Sequence, residues 1–251
     1  MSKEKKIIAA KKAFEYVEEG MKLGLGTGST ADEFTKILSD NVKDGFQITC
    51  VPTSENTKKL AESLEIPLGT LEDYNILDLT IDGADEIDDN LSLLKGGGGA
   101  LLREKIIAFN SKKMIVIADD SKKVSKLGDF KLPIEIITFE HDTTIKRVLE
   151  RLDAIGYYGA ANLRMENDKP FQTDSRNLIY DLSIGLIKEP SIINDLLNSM
   201  RVVKGMISSE IFTIMDGKKV VQLIQIKIVN DKAQVLFFAT IETIKVRATI
   251  I

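Results

Sequence analysis

Along the first half of the chain, segments with apolar residues at helical spacing alternate with short, continuous apolar runs. Residues 4–19 carry apolar side chains at helical intervals among lysines and glutamates, which predicts an amphipathic helix. The short apolar run 21–26 then predicts a strand, and the same alternation continues. The predicted helices are 4–19, 31–38, 55–64 and 101–110, and the predicted strands are 21–26, 46–51, 76–81 and 114–118. Strands that alternate with helices favour βαβ units, right-handed crossovers and a parallel sheet.

A different order of elements begins after Pro133. The predicted strands there are 134–139, 157–164, 178–184 and 202–207, and the predicted helices are 144–152 and 191–200. This βαββαβ order fits a small ferredoxin-like α+β domain. Residues 211–251 are rich in strand-forming residues, with a turn expected at Asn230 and Asp231, and should return to or extend the first domain.

These patterns predict an α/β fold with two domains. Residues 1–131 plus 209–251 should form a Rossmann-like catalytic domain, in which helices flank a parallel sheet. Residues 132–208 should form the smaller ferredoxin-like α+β domain.

Composition excludes several classes of protein. The 34 Lys+Arg and 38 Asp+Glu give a net charge of −4, so neither nucleic acid nor a membrane is expected as a partner. One cysteine and one histidine exclude a disulfide scaffold and a Cys/His zinc site, and they argue against His-dependent nucleophilic catalysis. Cys50 is expected in the core, and His141 near a helix cap. No stretch reaches the roughly 18 apolar residues of a membrane span, so a cytoplasmic protein is expected.

The chemically unusual segments follow the predicted strands, where parallel sheets bind ligands. Residues 24–30, GLGTGST, lead from a strand into a helix. Their glycines let backbone N–H groups converge on an anion, and hydroxyl donors stand among them. The spacing matches neither a dinucleotide fingerprint nor a Walker A loop. The segment is predicted to bind phosphate, and a tight turn with a Ser or Thr cap is the plainer alternative.

Residues 82–89 place five acidic residues among eight positions at the end of a predicted strand. Asp82 and Asp85 are spaced to face the same crevice, where paired carboxylates hold hydroxyl groups or move protons. A solvated acidic loop is the alternative. The spacing does not fit a calcium loop, and no metal site is predicted.

Four consecutive glycines follow Lys95, a costly arrangement for a purely structural role. Their amides and the lysine could stabilise an oxyanion. Glu104, in the first turns of the next helix, is then available as a base, or else it is a surface carboxylate between Arg103 and Lys105. Lys122 follows the strand 114–118 and either reaches a phosphate or is a solvated loop lysine.

Four segments together resemble the type A family of ribose-5-phosphate isomerases. They are GLGTGST at 24–30, DGADEID at 82–88, KGGGGALLREK at 95–105 and IADDSK at 117–122. Weaker similarity through 132–137 and 173–181 extends the resemblance over residues 4–207. It implies interconversion of D-ribose 5-phosphate and D-ribulose 5-phosphate in the non-oxidative pentose phosphate pathway. It also implies a small sugar phosphate as ligand, no cofactor, and a homodimer or homotetramer.

The resemblance also implies roles for individual residues. Glu104 would be the general base that moves a proton between C2 and C1. Lys95 and the amides of the following glycines would stabilise the enediolate, and Asp82 and Asp85 would bind sugar hydroxyls and assist ring opening. The substrate-binding positions implied are Thr27, Gly28, Ser29, Thr30, Asp82, Gly83, Ala84, Asp85, Lys95, Gly96, Gly97, Gly98 and Lys122. Lys6 is a further candidate for the phosphate.

Two alternatives and one departure from the family pattern stay open. A coenzyme A transferase-like enzyme would use Glu104 as a nucleophile, and a non-catalytic sugar-phosphate-binding protein would use the same segments without turnover. A deaminase-type isomerase would need a histidine near the acids, where this chain has none. The stretch 208–219 is abbreviated, and about 30 strand-prone residues follow it. This tail is expected to add a hairpin that covers a sheet edge or pairs between subunits.

Overall fold

The computed structural model describes residues 2–200 and, beyond them, the backbone of five strands between residues 208 and 250. The helices of this part are α1 Ser2–Phe14, α2 Ser29–Lys43, α3 Glu55–Ser63, α4 Leu101–Phe109, α5 His141–Asp153 and α6 Pro190–Ser199. The strands are β1 Lys22–Leu25, β2 Thr49–Pro52, β3 Leu79–Asp82, β4 Glu86–Ile87, β5 Leu93–Leu94, β6 Lys113–Ile117, β7 Leu132–Ile136, β8 Ala160–Leu163, β9 Met165–Glu166, β10 Lys169–Pro170, β11 Leu178–Ser183, β12 Ser208–Ser209, β13 Phe212–Thr213, β14 Gln222–Val229, β15 Lys232–Phe238 and β16 Thr249–Ile250. A short 3₁₀ helix covers Asp120–Lys122.

The chain divides into two compact units. Unit 1 comprises Met1–Ala84, Arg103–Lys122 and Asp216–Val246, and unit 2 comprises Asp85–Leu102, Lys123–Met215 and Arg247–Ile251. The domain division expected from the sequence, at 131/132 and 208/209, stays a prediction; it had assigned residues 85–102 to the first domain.

Unit 1 is built on a six-stranded sheet in the order β15-β14-β6-β3-β1-β2. Its strands are parallel except β15, which returns antiparallel beside β14. Helices cover both faces. Phe34 and Leu38 of α2 pack with Leu23 and other strand residues on one face, and Ile107 of α4 packs on the other. The predicted parallel sheet flanked by helices is therefore confirmed.

Unit 2 contains an antiparallel sheet in the order β12-β7-β11-β8. β12 lies directly after the predicted fourth strand, 202–207. With β12 as the fourth strand, the order is fourth, first, third, second, which is the predicted ferredoxin-like arrangement. The small hairpin β9–β10 is inserted before β11. Apolar side chains of α5 and α6, including Val148 and Ile193, form a buried core with those of β7 and β11.

Several predicted boundaries differ from the structure by a few residues, and two of them show why. The first helix ends at Phe14 instead of residue 19. Val17 is nevertheless buried, because a turn in which its amide donates to Phe14 O places its side chain in the core. The second strand begins at Thr49, since Phe46 is held by a turn that follows α2, where its amide donates to Asn41 O. In both places the apolar side chains pack as expected although the backbone leaves the regular element.

The C-terminal hairpin that the sequence predicted is present among the described strands, whereas the assignment of all of 209–251 to the first domain stays a prediction, since Met215 and Arg247–Ile251 fall in unit 2. β14 and β15 form an antiparallel pair that extends the sheet of unit 1 beyond β6. The tail therefore covers an edge of this sheet. The expected strand 202–207 and the turn residues Asn230 and Asp231 lie outside the described residues.

Candidate active site

The first glycine loop, residues 24–30, joins β1 to α2 and requires glycine for two reasons. A Cβ atom on Gly26 would lie 2.2 Å from Asp82 Oδ1, and one on Gly24 would lie 2.1 Å from Thr80 Oγ1. Gly28 instead has a φ of 110°, which side chains rarely adopt. The loop can therefore lie directly against β3, which residues with a Cβ atom would prevent.

Gly28 is also the N-cap residue of α2, which corrects the expected Ser or Thr cap. Glycine has no side chain that could accept from the amides of the first turn. The positive end of the helix is therefore not covered by a capping hydroxyl, and this end favours a bound anion.

Thr27 uses both of its donor groups within the protein. Its amide donates to Asp82 Oδ1 at 3.1 Å. Its hydroxyl lies 2.7 Å from Thr53 Oγ1 and 2.8 Å from Ser54 Oγ, the N-cap residue of α3. Thr27 thus ties the first glycine loop to the ends of two neighbouring strands.

Two consecutive lysines of α1 reach segments that the sequence assigned to phosphate. Lys6 Nζ donates to Ser29 Oγ at 2.7 Å. Lys5 Nζ lies 2.6 Å from Asp120 in the 3₁₀ helix that ends at Lys122. Lys122 is half-buried, as is Thr30 in the first turn of α2. Lys6, a candidate for the phosphate, therefore brings a positive charge to the first glycine loop.

Asp82 is the last residue of β3 and is 1% exposed. Its Oδ1 accepts from the amides of Thr27 and Gly83, the second at 2.7 Å. Gly83 and Ala84 are half-buried and end this part of unit 1. The carboxylate is therefore fixed by two backbone donors at the carboxyl edge of the parallel sheet.

Three other acidic residues of 82–89 have different partners, which the sequence pattern did not distinguish. Glu86 is 4% exposed and accepts from the amides of Gly128 and Phe130, so it holds a loop of unit 2. Burial raises the pKa of Asp88, although hydrogen bonds from Ser92 and Asn90 oppose the rise. Asp89 is exposed and lies 2.6 Å from Lys123.

The second glycine loop, residues 95–99, is in unit 2 with Asp85. The amide of Gly97 donates to Asp85 Oδ2 at 2.7 Å. Gly96 has a φ of 109° and its carbonyl accepts from the amide of Gly99, which closes a four-residue turn. Lys95 is 3% exposed, whereas Gly98 at the tip is exposed. The structure thus joins two of the predicted site residues, Asp85 and Gly97, directly.

Glu104 lies in the first turn of α4 and is 4% exposed. Its alternative interpretation as a surface carboxylate is therefore wrong. Its neighbour Arg103 does face outward, where Nη1 donates to Glu55 Oε1 of α3 at 2.7 Å. That hydrogen bond lowers the pKa of Glu55.

Two polar residues of unit 2, one buried and one half-buried, were missed as functional candidates. Glu135, 2% exposed in the otherwise apolar β7, accepts from the amide of Leu102 in α4 at 3.0 Å. Thr173 and Asn177 donate to its other oxygen. Arg164 forms a two-pronged ion pair with Asp181 and reaches the second glycine loop. An acid within an apolar strand was the signal for Glu135; the sequence carries no comparable signal for Arg164.

The other chemical expectations concern single residues and metal ligands. Cys50 is buried in the core as predicted. His141 is the first residue of α5, and its Nδ1 lies 2.8 Å from the Tyr180 hydroxyl. Within the described residues, no three metal-ligating side chains come together. Searched over the same part of the chain, the helices include none with the length and apolar character needed to cross a membrane.

Comparison with known proteins relates this chain to one family. The family model described as Ribose 5-phosphate isomerase A (phosphoriboisomerase A) matches residues 49–229. The ribose-5-phosphate isomerase A of Parvibaculum lavamentivorans is 50% identical over 210 residues, covering 83% of this chain and 90% of its own length. That of Sinorhizobium fredii is 52% identical over 202 residues, covering 79% and 86%.

Solved structures agree with the sequence comparison. Ribose 5-phosphate isomerase from Plasmodium falciparum has a TM-score of 0.79 at 34% identity, covering 94% of this chain and 98% of its own. A D-ribose-5-phosphate isomerase in complex with phospho-erythronic acid has a TM-score of 0.78 at 34% identity, with coverage of 94% and 99%. The resemblance noted in the four sequence segments is thereby confirmed, and the chain belongs to the ribose 5-phosphate isomerase A family.

Proposed function

We propose that this protein is an aldose–ketose isomerase that interconverts D-ribose 5-phosphate and D-ribulose 5-phosphate through an enediolate. The observation that carries the mechanism is the buried carboxylate of Glu104, which follows the second glycine loop in the first turn of α4. Membership in the isomerase family supports the reaction and the substrate. It also removes support from the coenzyme A transferase and non-catalytic alternatives.

Glu104 acts as the general base. It takes the proton from C2 of the open-chain aldose and returns a proton to C1, while the hydroxyl proton passes from O2 to O1, so the atoms balance without an external oxidant or reductant. A proton next to a carbonyl is too weakly acidic for a carboxylate to remove in water. The developing oxygen charge must therefore be met by donors that are already in place.

Lys95 and the amides of Gly96, Gly97 and Gly98 are the proposed donors. The lysine is almost wholly buried, which strengthens its interaction with a developing negative charge. The Gly97 amide already donates to Asp85. It can donate to the enediolate oxygen only if the Asp85 side chain shifts toward a sugar hydroxyl. Asp82 and Asp85 bind these hydroxyls and assist opening of the sugar ring.

The phosphate is held by the first glycine loop. Gly28 leaves the start of α2 without a capping hydroxyl, and Ser29 lies within reach of Lys6. Thr30 and Lys122 complete the proposed cradle, and Thr27, whose own donors are used within the protein, holds the loop in place. An anchored phosphate gives the substrate a fixed orientation for proton transfer.

The proposal extends to assembly and location. We expect a homodimer or homotetramer in the cytoplasm, where phosphorylated sugars are made and used. Size-exclusion chromatography with light scattering measures the assembly directly.

Proton transfer by Glu104 is tested with the Glu104→Gln variant. We expect wild type to convert ribose 5-phosphate into ribulose 5-phosphate in D₂O, with some deuterium entering the product. The variant should lose at least about 10³-fold in kcat because it keeps the shape of the side chain and loses the base. NMR of the product mixture measures both conversion and deuterium content.

The matched control is Glu72→Gln, the same change at an exposed glutamate, which should keep wild-type turnover. Substrate binding without product by wild type would favour a sensor over an isomerase. A covalent adduct on Glu104, visible by mass spectrometry, would favour a transferase.

A further inference from the structure

Arg164 is fixed in unit 2 by its main chain. It directly follows β8, its amide donates to Ile179 O at 2.8 Å, and its carbonyl accepts from the amide of Phe171 at 2.8 Å. The side chain is only 16% exposed. The hydrogen bonds of the antiparallel sheet therefore fix the backbone from which the Arg164 side chain extends.

Asp181 of β11 fixes the plane of this guanidinium. Nε donates to Asp181 Oδ2 at 2.9 Å, and Nη2 donates to the other carboxylate oxygen. A two-pronged pair of this kind defines the orientation of the guanidinium as well as its position. Because Asp181 balances the positive charge, the contribution of Arg164 to nearby groups is mainly geometric.

The remaining nitrogen, Nη1, donates to two consecutive carbonyls of the second glycine loop. It lies 3.1 Å from Gly96 O and 3.2 Å from Gly97 O. In a trans peptide the N–H points opposite to the C=O. The Gly97 amide accordingly points away from Arg164 and reaches Asp85, and the Gly98 amide must also point away from the guanidinium.

A run of glycines does not hold such an arrangement by itself. Ordering the backbone of one residue costs about 1–2 kcal/mol, and glycine loses the most freedom of all residues. The internal hydrogen bond from Gly99 to Gly96 closes the turn but leaves the peptide between Gly97 and Gly98 able to rotate. Arg164 contacts the carbonyl of that peptide.

We propose that Arg164, oriented by Asp181, is a positioning residue that turns the amides of Gly97 and Gly98 toward the enediolate. This inference rests on the proposed function, in which those amides are oxyanion donors. Arg164 itself does not touch the reacting atoms. Its role is to keep both donors aligned before substrate binds, so that no loop rearrangement is required during proton transfer.

Arg164→Lys is the primary test, since an ammonium group cannot both form a two-pronged pair with Asp181 and bridge two carbonyls. We expect kcat to fall roughly 10- to 100-fold, as donor misplacement of about 1 Å does, while KM changes less than about threefold. Arg147→Lys is the matched control. Arg147 pairs with Glu150 on the exposed face of α5, so this variant should retain wild-type kcat.

Hydrogen exchange gives a readout that does not depend on activity. In Arg164→Lys, the segment 95–101 should exchange at least roughly tenfold faster than in wild type, because the loop opens more often once its two carbonyls lose the guanidinium donor. Arg147→Lys should leave that segment unchanged. Unchanged exchange in folded Arg164→Lys overturns the inference even if wild type is an isomerase. A wild type without turnover overturns the proposed function and, with it, the inference that rests on it.

Asp181→Asn is the second variant, and it decides the question if Arg164→Lys does not fold. It keeps the guanidinium and removes its fixed orientation. We expect a smaller effect, a fall in kcat of roughly 3- to 10-fold with faster exchange at 95–101. Wild-type kcat and wild-type exchange in a folded Asp181→Asn, or a rise in KM with unchanged kcat, would overturn the proposal.

Discussion

The two glycine loops of this protein are held in place by different means. The first, residues 24–30, lies against β3 so closely that side chains are excluded, and neighbouring strand ends supply its hydrogen bonds. The second, residues 95–99, is held from outside by charged side chains, Arg164 on its carbonyls and Asp85 on an amide. Both loops exclude side chains at some positions, but a Cβ atom on Gly26 would meet the backbone of β3, whereas Cβ atoms on the second loop would meet side chains only. The first loop is therefore fixed mainly by contact with a strand, and the second mainly by charged side chains.

This difference implies different responses to mutation. Adding one methyl group should do most damage at Gly26 of the first loop, because there the backbone of Asp82 would have to move, whereas in the second loop only side chains would. Removing or neutralising a side chain should damage the second loop and the start of α4 most. Three further variants test the comparison, beginning with the largest expected effect.

Gly26→Ala should be the most harmful change to the first loop. Its Cβ would lie 2.2 Å from Asp82 Oδ1 and 2.5 Å from the Asp82 Cα, so backbone as well as side chain must move. We expect kcat/KM to fall by roughly 10²-fold or more. Gly20→Ala is the control: it also has a positive φ, of 83°, but no atom lies within 4 Å of the added Cβ.

Gly20→Ala should lower the free energy of unfolding by about 1 kcal/mol through backbone strain and leave turnover unchanged. Steady-state kinetics and urea unfolding separate the two effects. Equal losses of turnover in both variants would mean that contact with Asp82 is not what the first loop requires.

Glu135→Gln should have an intermediate effect. One end of the Gln amide can only donate, so either the Leu102 amide or the Thr173 and Asn177 donors face another donor. We expect a loss of about 1–3 kcal/mol in the free energy of unfolding. We also expect a fall of roughly tenfold in kcat, because Glu104 is two residues beyond Leu102 in the same helix.

Thr173→Val is the matched variant. It removes a donor from Glu135 Oε1, whereas the Leu102 amide binds Oε2. It should cost about 1 kcal/mol of stability and keep most of the wild-type kcat. If the two variants lose kcat to the same extent, the effect is general loosening of unit 2. Urea unfolding and initial-rate kinetics provide both values.

Tyr180→Phe should give the smallest effect, limited to alkaline pH. Burial, and then the hydrogen bond and negative charge of Asp142, raise the pKa of Tyr180 to about 12. A group with a raised pKa in the folded state stabilises fully below its unfolded pKa of about 10, and that contribution is lost as the pH rises toward about 12. The free energy of unfolding of wild type should therefore fall over this interval more steeply than that of the variant.

Urea unfolding at pH 9 and pH 11 compares the slopes. Kinetics at pH 8 should be the same for both proteins, because Tyr180 is neutral there and is not among the proposed site residues. Parallel slopes would show that ionisation of Tyr180 is not linked to folding of unit 2.

The sequence predicted the first loop more completely than the second for a physical reason. A parallel sheet brings the carboxyl ends of its strands to one edge, so residues 26–30, 53–54 and 82–83 could be placed together without a structure. The antiparallel sheet of unit 2 has no such common edge. Arg164 and Asp181 lie 67 and 84 residues beyond Gly97. The ferredoxin-like order predicts which strands pair, but it does not predict which side chains of those strands reach the second loop. The sequence pattern also could not separate Asp82 from Glu86, since both are buried acids near strand ends and differ only in which amides they bind.

Cys50 offers a way to follow unit 1 by chemistry. It is the only cysteine of the chain, it lies in β2 with no exposed surface, and burial raises the pKa of its thiol. A thiol in this state does not react with alkylating reagents until the surrounding structure opens. The rate at which iodoacetamide labels the native protein therefore measures how often the sheet beneath the first glycine loop separates, with one labelled site and no engineered probe.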